Sequence, residues 1–328
     1  MGDGQACVRR PFAVGDLDVL SVLLQRRRAG TLPGHHDDGH RVALVIEGGG
    51  MRGVYTGGMT RAIGALGLRD CLDEVFAVSA GAFTGTGLVS RRTDHLARAY
   101  YDDLAPGAFV DFGRMLAGRG PLVSLDFLLD TVMIDKHGFQ WNWLLESDLP
   151  LHPVATALDT LSASVLADLR TESDWRQALL ASARIPFWAG PPVELHGRRW
   201  VDGFVTDPLP VARAIDGGAT HVLALLARAP EERLSPSSRV TPPMRAHLNR
   251  LAPGLAKAMA QRGRLHQEST ALIAGLVRRG GARVLGLRPL RGYGIRSLTN
   301  NAVRLKLGGE SGEASVHQAM ALATASQA

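Results

Sequence analysis

The stretch Arg41 to Gly87 constrains this chain more than any other. Val42 to Ile46 is an apolar run of buried-strand type, and the chain then turns through Glu47-Gly48-Gly49-Gly50-Met51-Arg52-Gly53. A helix is expected over roughly Val54 to Ala65. A second strand, Val75 to Val78, ends at Ser79-Ala80-Gly81, where another helix begins. Two strands that each run into a small-residue turn at a helix N-terminus specify a parallel α/β sheet with a site at the carboxyl ends of its strands.

The glycine turn admits two chemistries. Gly48, Gly50 and Gly53 satisfy G-x-G-x-x-G between strand and helix, the dinucleotide fingerprint. The same geometry offers free backbone N–H groups at a positive helix end, which suits any anion, an oxyanion included. A dinucleotide site wants an acid at the end of the next strand to hold the ribose, and this chain puts Ser79 there. A serine between small residues on a tight strand-to-helix turn reads as a nucleophile elbow, although an ordinary N-cap serine has the same local look. Ala77 stands where the elbow pattern G-x-S-x-G has its first glycine. Far downstream, Asp202-Gly203 makes a turn that can aim a carboxylate at a neighbouring strand end.

These pieces, GGGMRG at 48–53, AVSAG at 77–81 and DGF at 202–204, resemble the patatin-like phospholipases. That family joins G-G-G-x-[K/R]-G to a G-x-S-x-G elbow and a D-G-[G/A] turn. The first motif matches fully; the others depart at Ala77 and Phe204. The stretch Ala183-Arg184-Ile185-Pro186 through Pro208-Leu209-Pro210-Val211 is also similar, so the resemblance covers about 41–230. It implies a three-layer α/β fold with a mainly parallel central sheet, helices on both faces and a mostly helical C-terminal part. It implies acyl-ester hydrolysis by a Ser79–Asp202 dyad, with the oxyanion hole drawn from Gly48, Gly49, Gly50, Met51, Arg52, Gly53 and Ala80. Arg52 takes the family's basic position, where it orients the turn or meets a lipid phosphate. The chemistry requires no metal and no cofactor. The family also contains room for a member that has lost catalysis and serves as a lipid-binding scaffold, a reading that Ala77 and Phe204 keep open.

The 328 residues are ample for a large core, and 45% hydrophobic content is ordinary for a globular protein. Net charge is +6 and nearly all of the basic residues are arginine, the lysines being Lys136, Lys257 and Lys306. That balance fits a solvated surface or a peripheral contact with an anionic membrane; no aromatic-interleaved basic patch points to nucleic acid. Two cysteines, Cys7 and Cys71, are no disulfide framework and suit a reducing compartment. No apolar run approaches membrane-spanning length, and Asp16 and Asp18 interrupt any signal-like stretch. The expectation is a cytoplasmic protein that meets lipid, if at all, from that side.

Three segments follow from these signals: an N-terminal extension at 1–40, a catalytic domain at 41–230, and a helical region at 231–328 packed on it. In the extension, Leu17, Leu20, Leu23 and Leu24 share a face of a helix over Asp16 to Arg28. That face either docks on the main domain or lies on a membrane. His35, His36, Asp37, Asp38 and His40 follow in a polar linker and are read as solvated, not as a metal site. Ala105 to Leu149, rich in Phe109, Phe112, Met115, Leu116, Phe127, Leu128, Phe139, Trp141, Trp143 and Leu144, is the expected acyl-chain wall or plain core. A helix over Asp174 to Ser182 is expected to be capped by Ser173 or Asp174, and Asp207 to cap another ahead of Pro208. Met244 to Arg279 reads as helical, Arg283 to Arg288 as a strand, and Val316 to Ser326 as a last helix. A Ser-His-Asp hydrolase is the rival enzyme reading, with His221, His247, His266 and His317 as its bases.

Overall fold

A computed structural model describes residues 7–105, 107–232 and 240–325. The strands, in chain order, are β1 (Cys7–Arg10), β2 (Ala13–Asp16), β3 (Val42–Ile46), β4 (Glu74–Val78), β5 (Leu151–Ala157), β6 (Ser162–Val165), β7 (Val193–Leu195), β8 (Arg198–Asp202), β9 (His221–Leu225) and β10 (Arg283–Leu287). They form a single sheet in the order β1-β2-β10-β9-β3-β4-β5-β8-β7, with β6 paired to β5. The five central strands, β10-β9-β3-β4-β5, are parallel, and both flanks are antiparallel. The chain leaves β3 to one side for β4, while β9 lies on its other side, so the strand order reverses at β3. Such a switch point opens a crevice at the strands' carboxyl ends.

Alternation along the strands assigns the two faces. Val42, Leu44 and Ile46 of β3 join Leu223, Leu225, Leu285 and Leu287 in the larger core; Ala43 and Val45 point the other way, with Val222, Ala224 and Val284. The first face is covered by α1 (Asp18–Ala29), α2 (Gly53–Ala65), α3 (Ala80–Val89) and α11 (Ala302–Ala325); α4 (Thr93–Asp102) packs on α2 and α3. The second face meets α8 (Val211–Asp216) and the end of α10 (Leu255–Ile273). The result is a three-layer α/β sandwich with a mostly parallel sheet. The remaining helices are α5 (Phe112–Leu116), α6 (Asn142–Leu145), α7 (Glu172–Ala183) and α9 (Pro242–Leu251), with a π-helical segment at Phe127–Lys136.

Several local expectations are corrected. Thr171, not Ser173 or Asp174, caps α7: its hydroxyl accepts from Asp174 N–H while Asp174 bonds back to the Thr171 N–H, a capping box that starts the helix earlier. Asp207 caps nothing, because α8 begins only after Pro210; its carboxylate accepts from Arg213 Nε at 2.9 Å. Met244 to Arg279 is two helices, broken at Ala252-Pro253-Gly254, where Gly254 takes φ +88°. The last helix starts at Ala302, well before Val316, and Ser326 lies outside the described residues.

The leucine face of α1 is buried against the core through Val19, Leu20, Val22, Leu23 and Leu24, so this helix docks. Arg26, 3% exposed, anchors it to Asp38, Asp73, the Cys71 carbonyl and the His40 carbonyl. The β1–β2 hairpin pairs with β10, an addition to the sheet that no sequence signal announced.

Candidate functional site

Ser79 sits between β4 and α3 at φ 58°, ψ −130°, a conformation that an L-residue holds only when its surroundings enforce it. They do so at close range. A Cβ on Gly48 would lie 2.6 Å from Ser79 Cβ, and one on Gly81 would lie 2.5 Å from the Ile46 carbonyl oxygen. Ser182, at the end of α7, completes the clamp. Its carbonyl and hydroxyl both accept from Ser79 N–H, at 3.1 and 3.0 Å, and its hydroxyl donates to Val154 O at 2.8 Å. Sequence reasoning passed over Ser182; its signal was a hydroxyl in the otherwise apolar ALLASA run just ahead of the familial Arg184-Ile185-Pro186. Ala77 is fully buried, and its Cβ would lie at an ordinary contact distance, 3.5 Å, from a methyl on Gly85.

Asp202 arrives from β8. Its Oδ2 accepts from Ser79 Oγ at 2.7 Å and its Oδ1 accepts from Phe204 N–H at 2.8 Å. Main-chain bonds hold the residue on both sides: its N–H donates to Arg184 O, and its carbonyl accepts from Thr156 Oγ1. Gly203 lets the turn pass within 2.4 Å of Val154 O, measured from where a Cβ would sit. Burial pushes the Asp202 carboxyl up to about 7, against the opposing effects of Phe204 N–H, Ser79 and the Arg262 charge.

The glycine turn presents fewer donors than its sequence promised. Met51 N–H donates to Ser297 O at 3.0 Å, Arg52 N–H to Gly49 O at 3.3 Å, and Gly53 N–H to Gly50 O. Those amides are spent, which removes Met51, Arg52 and Gly53 from the expected donor set. The Gly48, Gly49 and Gly50 amides have no partner among the described residues, and of these Gly49 and Gly50 line the cavity around Ser79. Gly50, at φ +59°, tolerates no side chain, since its Cβ would meet Ser297 O at 2.6 Å. Ala80, the first residue of α3, also lines the cavity, and its N–H belongs to the orphan set of a helix start.

Behind the turn lies a fully buried carboxylate. Glu47 accepts from Ala227 N–H at 2.7 Å, meets His266 Nε2 at 3.0 Å and Arg228 Nε at 3.3 Å. Burial alone would push its carboxyl up; His266, Arg228 and the Ala227 amide hold it down at about 2. Glu47 thereby ties the end of β3 to the segment after β9 and to α10.

The cavity holds about 270 Å³ and is mostly apolar. Phe109 and Leu128 belong to its wall as expected, joined by Phe83, Val123, Leu125 and Trp188. The rest of the expected acyl wall divides. Phe139 packs edge-to-face on Trp141 and Trp143, Leu144 lies in the core, and Phe112 and Leu116 face solvent. Arg52 and Arg262 also line the cavity, and neither forms a hydrogen bond or ion pair among the described residues. Burial and the nearby Arg228 charge push the Arg52 guanidinium down to about 10, and the same causes lower Arg262.

None of the four histidines proposed as bases touches Ser79. His221 pairs with Asp18 and Thr220 at the start of β9, His266 with Glu47, His247 packs on Phe187, and His317 is exposed. Asp38 is held by Arg26, which keeps its carboxyl well below the usual range, and His36 bonds Thr31. Among the described residues no group of three or more His, Cys, Asp or Glu side chains could hold a metal ion, and no helix is long and apolar enough to cross a membrane.

Comparison with known proteins places these motifs. The chain is 26% identical over 188 residues to the uncharacterized protein YjjU of Escherichia coli K12, covering 56% of this chain and 51% of that one. It thus spans about half the length of that relative. Among solved structures, VipD from Legionella pneumophila superposes with a TM-score of 0.45 at 14% identity, covering 86% of this chain and 66% of that one. Human GIVD cytosolic phospholipase A2, solved with methyl gamma-linolenyl fluorophosphonate, gives 0.46 at 14%, covering 93% and 62%. The family model described as patatin-like phospholipase matches residues 44–215, more than half of the chain and a span that contains the glycine turn, the Ser79 turn and the Asp202-Gly203 turn. The chain therefore belongs to the patatin-like phospholipase family, a family of lipid hydrolases.

Proposed function

We propose that the protein hydrolyses acyl esters of lipids through a Ser79–Asp202 dyad. One observation supports this above the others: Ser79 Oγ donates to Asp202 Oδ2 at 2.7 Å, on an elbow that opens into an apolar cavity. Ser79 Oγ attacks the ester carbonyl carbon while Asp202 takes its proton. The carbonyl oxygen becomes an oxyanion held by the amides of Gly49, Gly50 and Ala80, each donor worth about 10²–10³ in rate. Collapse expels the alcohol, which leaves with the proton from Asp202. Water, deprotonated by Asp202, then attacks the acyl-Ser79 ester; the carboxylic acid departs and Ser79 regains its proton. A carboxyl that titrates about 7 is matched to this shuttle at neutral pH.

Phe109, Val123, Leu125 and Leu128 suit an acyl chain. Arg52 and Arg262, two half-buried cations that form no direct ion pair among the described residues, suit a negative group on the alcohol, as in a phospholipid. The dinucleotide reading lacks support, because Ser79 stands where a ribose-binding carboxylate belongs. The impaired-scaffold reading lacks it too: with Ala77 in place Ser79 still reaches Asp202 at 2.7 Å, and Phe204 supplies the amide that orients Asp202.

The experiment is turnover of p-nitrophenyl butyrate by wild type, Ser79→Ala and Asp202→Asn. Both variants are expected to fold and to lose at least about 10³ in kcat. Wild-type turnover in either would remove that residue from the mechanism.

A further inference from the structure

The loop between Phe109 and Leu125 has its stems in the cavity wall and its tip in water. Phe109, Val123 and Leu125 line the cavity. Val110 and Val123 form an antiparallel bridge, and Ser124 N–H donates to Phe109 O. The tip is the short helix α5, where Phe112 is 53% exposed and Leu116 81% exposed. Four residues apart on one helical turn, the two side chains share a face. This tip is not loosely tethered. Asp111 caps α5 by accepting from Arg114 N–H at 2.9 Å. The Arg114 guanidinium donates to the carbonyls of Ala108, Phe109, Pro121 and Leu122, cross-linking both stems. The sequence thus uses an arginine to hold a phenylalanine and a leucine out in solvent, on a loop whose stems line an apolar cavity. A cationic residue, Arg119, is exposed on the same tip. Leu298, which lines the cavity, is itself 36% exposed.

Scattered apolar side chains at a surface need no explanation, but an ordered pair on a loop whose stems line an apolar cavity does. We propose that this loop seats the protein on an anionic lipid bilayer. Phe112 and Leu116 enter the acyl region and Arg119 meets the headgroups, a division of labour usual for interfacial segments. The charge sign agrees, since the tip carries Arg119 and the whole chain is +6. The stems then form a continuous apolar path from the bilayer to Ser79, so an ester enters the cavity without exposing its chain to water. The last step rests on the hydrolase reading; the seating does not. The N-terminal helix, the segment whose leucine face could otherwise lie on a membrane, is unavailable because that face is buried.

The test uses the full chain carrying Ser79→Ala, so that lipid is not consumed, and vesicles of phosphatidylcholine mixed with phosphatidylglycerol. Cosedimentation is measured for this protein, for the same protein with Phe112→Ser and Leu116→Ser, and for Arg119→Glu. The parent is expected to pellet with the vesicles, the apolar double variant to bind at least tenfold more weakly, and Arg119→Glu several-fold more weakly. In the Ser79 background, the Phe112/Leu116 variant should turn over a soluble short-chain ester at the wild-type rate, which shows that it folds. Undiminished vesicle binding by the double variant overturns the proposal, as does a parent that never binds. A parent that ignores vesicles but self-associates through Phe112 and Leu116 overturns it in favour of a second copy. Absence of ester turnover in wild type would sink the hydrolase reading alone, since sedimentation is read without catalysis.

Discussion

The proposed mechanism asks two conflicting things of Asp202. It is buried against Ser79, and burial penalises the charge that a base would need. The compromise is a carboxyl raised from 3.8 to about 7. Two consequences follow with defined signs. As the base, Asp202 must be ionised, so kcat/KM for a neutral ester should climb with pH and level off above about 7. Because its folded pKa lies above the unfolded one, the favourable contribution of the neutral carboxyl is present below about 4 and is lost as pH rises through about 7. Asp202→Asn, which keeps an acceptor for Phe204 N–H, should therefore melt above wild type at pH ~8, by about 2–4 °C for each kcal/mol relieved, and with wild type near pH ~4. A pH–rate profile flat from about 5 to 8 would remove Asp202 as the base. These residues were legible because each of their motifs is local: a serine after β4 and an Asp-Gly after β8. Ser182 was not, because only the fold brings the end of α7 beneath the elbow.

At the scale of elements, the site is two helix starts and one strand end pressed together without side chains between them. Gly48 and Gly203 are the contact points, and their roles are steric. Gly48→Ala puts a methyl within 2.6 Å of Ser79 Cβ and 2.8 Å of Val78 O. Neither atom can retreat, since Val78 O is main chain and Ser79 is clamped by Ser182. The expected cost is about 1–3 kcal/mol in stability, with turnover reduced beyond what lost folding explains; wild-type melting and turnover would show that the close approach is not needed. The helices and parallel strands were readable from apolar period and turn residues. The allocation of amides was not. That Met51 N–H goes to Ser297 while Gly49 and Gly50 stay free depends on a carbonyl nearly 250 residues downstream.

At the scale of the whole molecule, the segments outside the family match complete the sheet and the core. The β1–β2 hairpin covers the edge of β10, and α11 packs across α2. Glu47, at the head of the glycine turn, is paired with His266 and Arg228, both from beyond residue 215. No short-range pattern announces such pairings, which is why the extension read as an appendage carrying a helix and a linker. Arg26 is the clearest tie. Arg26→Met should lower stability by about 2–3 kcal/mol, the low side of the range for a broken buried pair because Asp38 and Asp73 are partly exposed. Turnover at low temperature should be unaffected. An unchanged melting midpoint would mean that α1 is held by its leucine face alone.

The central claim is that Ser79 is an activated nucleophile. Its most direct test is mass spectrometry of the intact and digested protein after a fluorophosphonate probe. The account predicts one adduct, on the peptide bearing Ser79, formed in wild type, slowed at least about 10²-fold in Asp202→Asn and absent in Ser79→Ala. A wild-type protein that stays unlabelled, or carries the adduct on another serine, would contradict it.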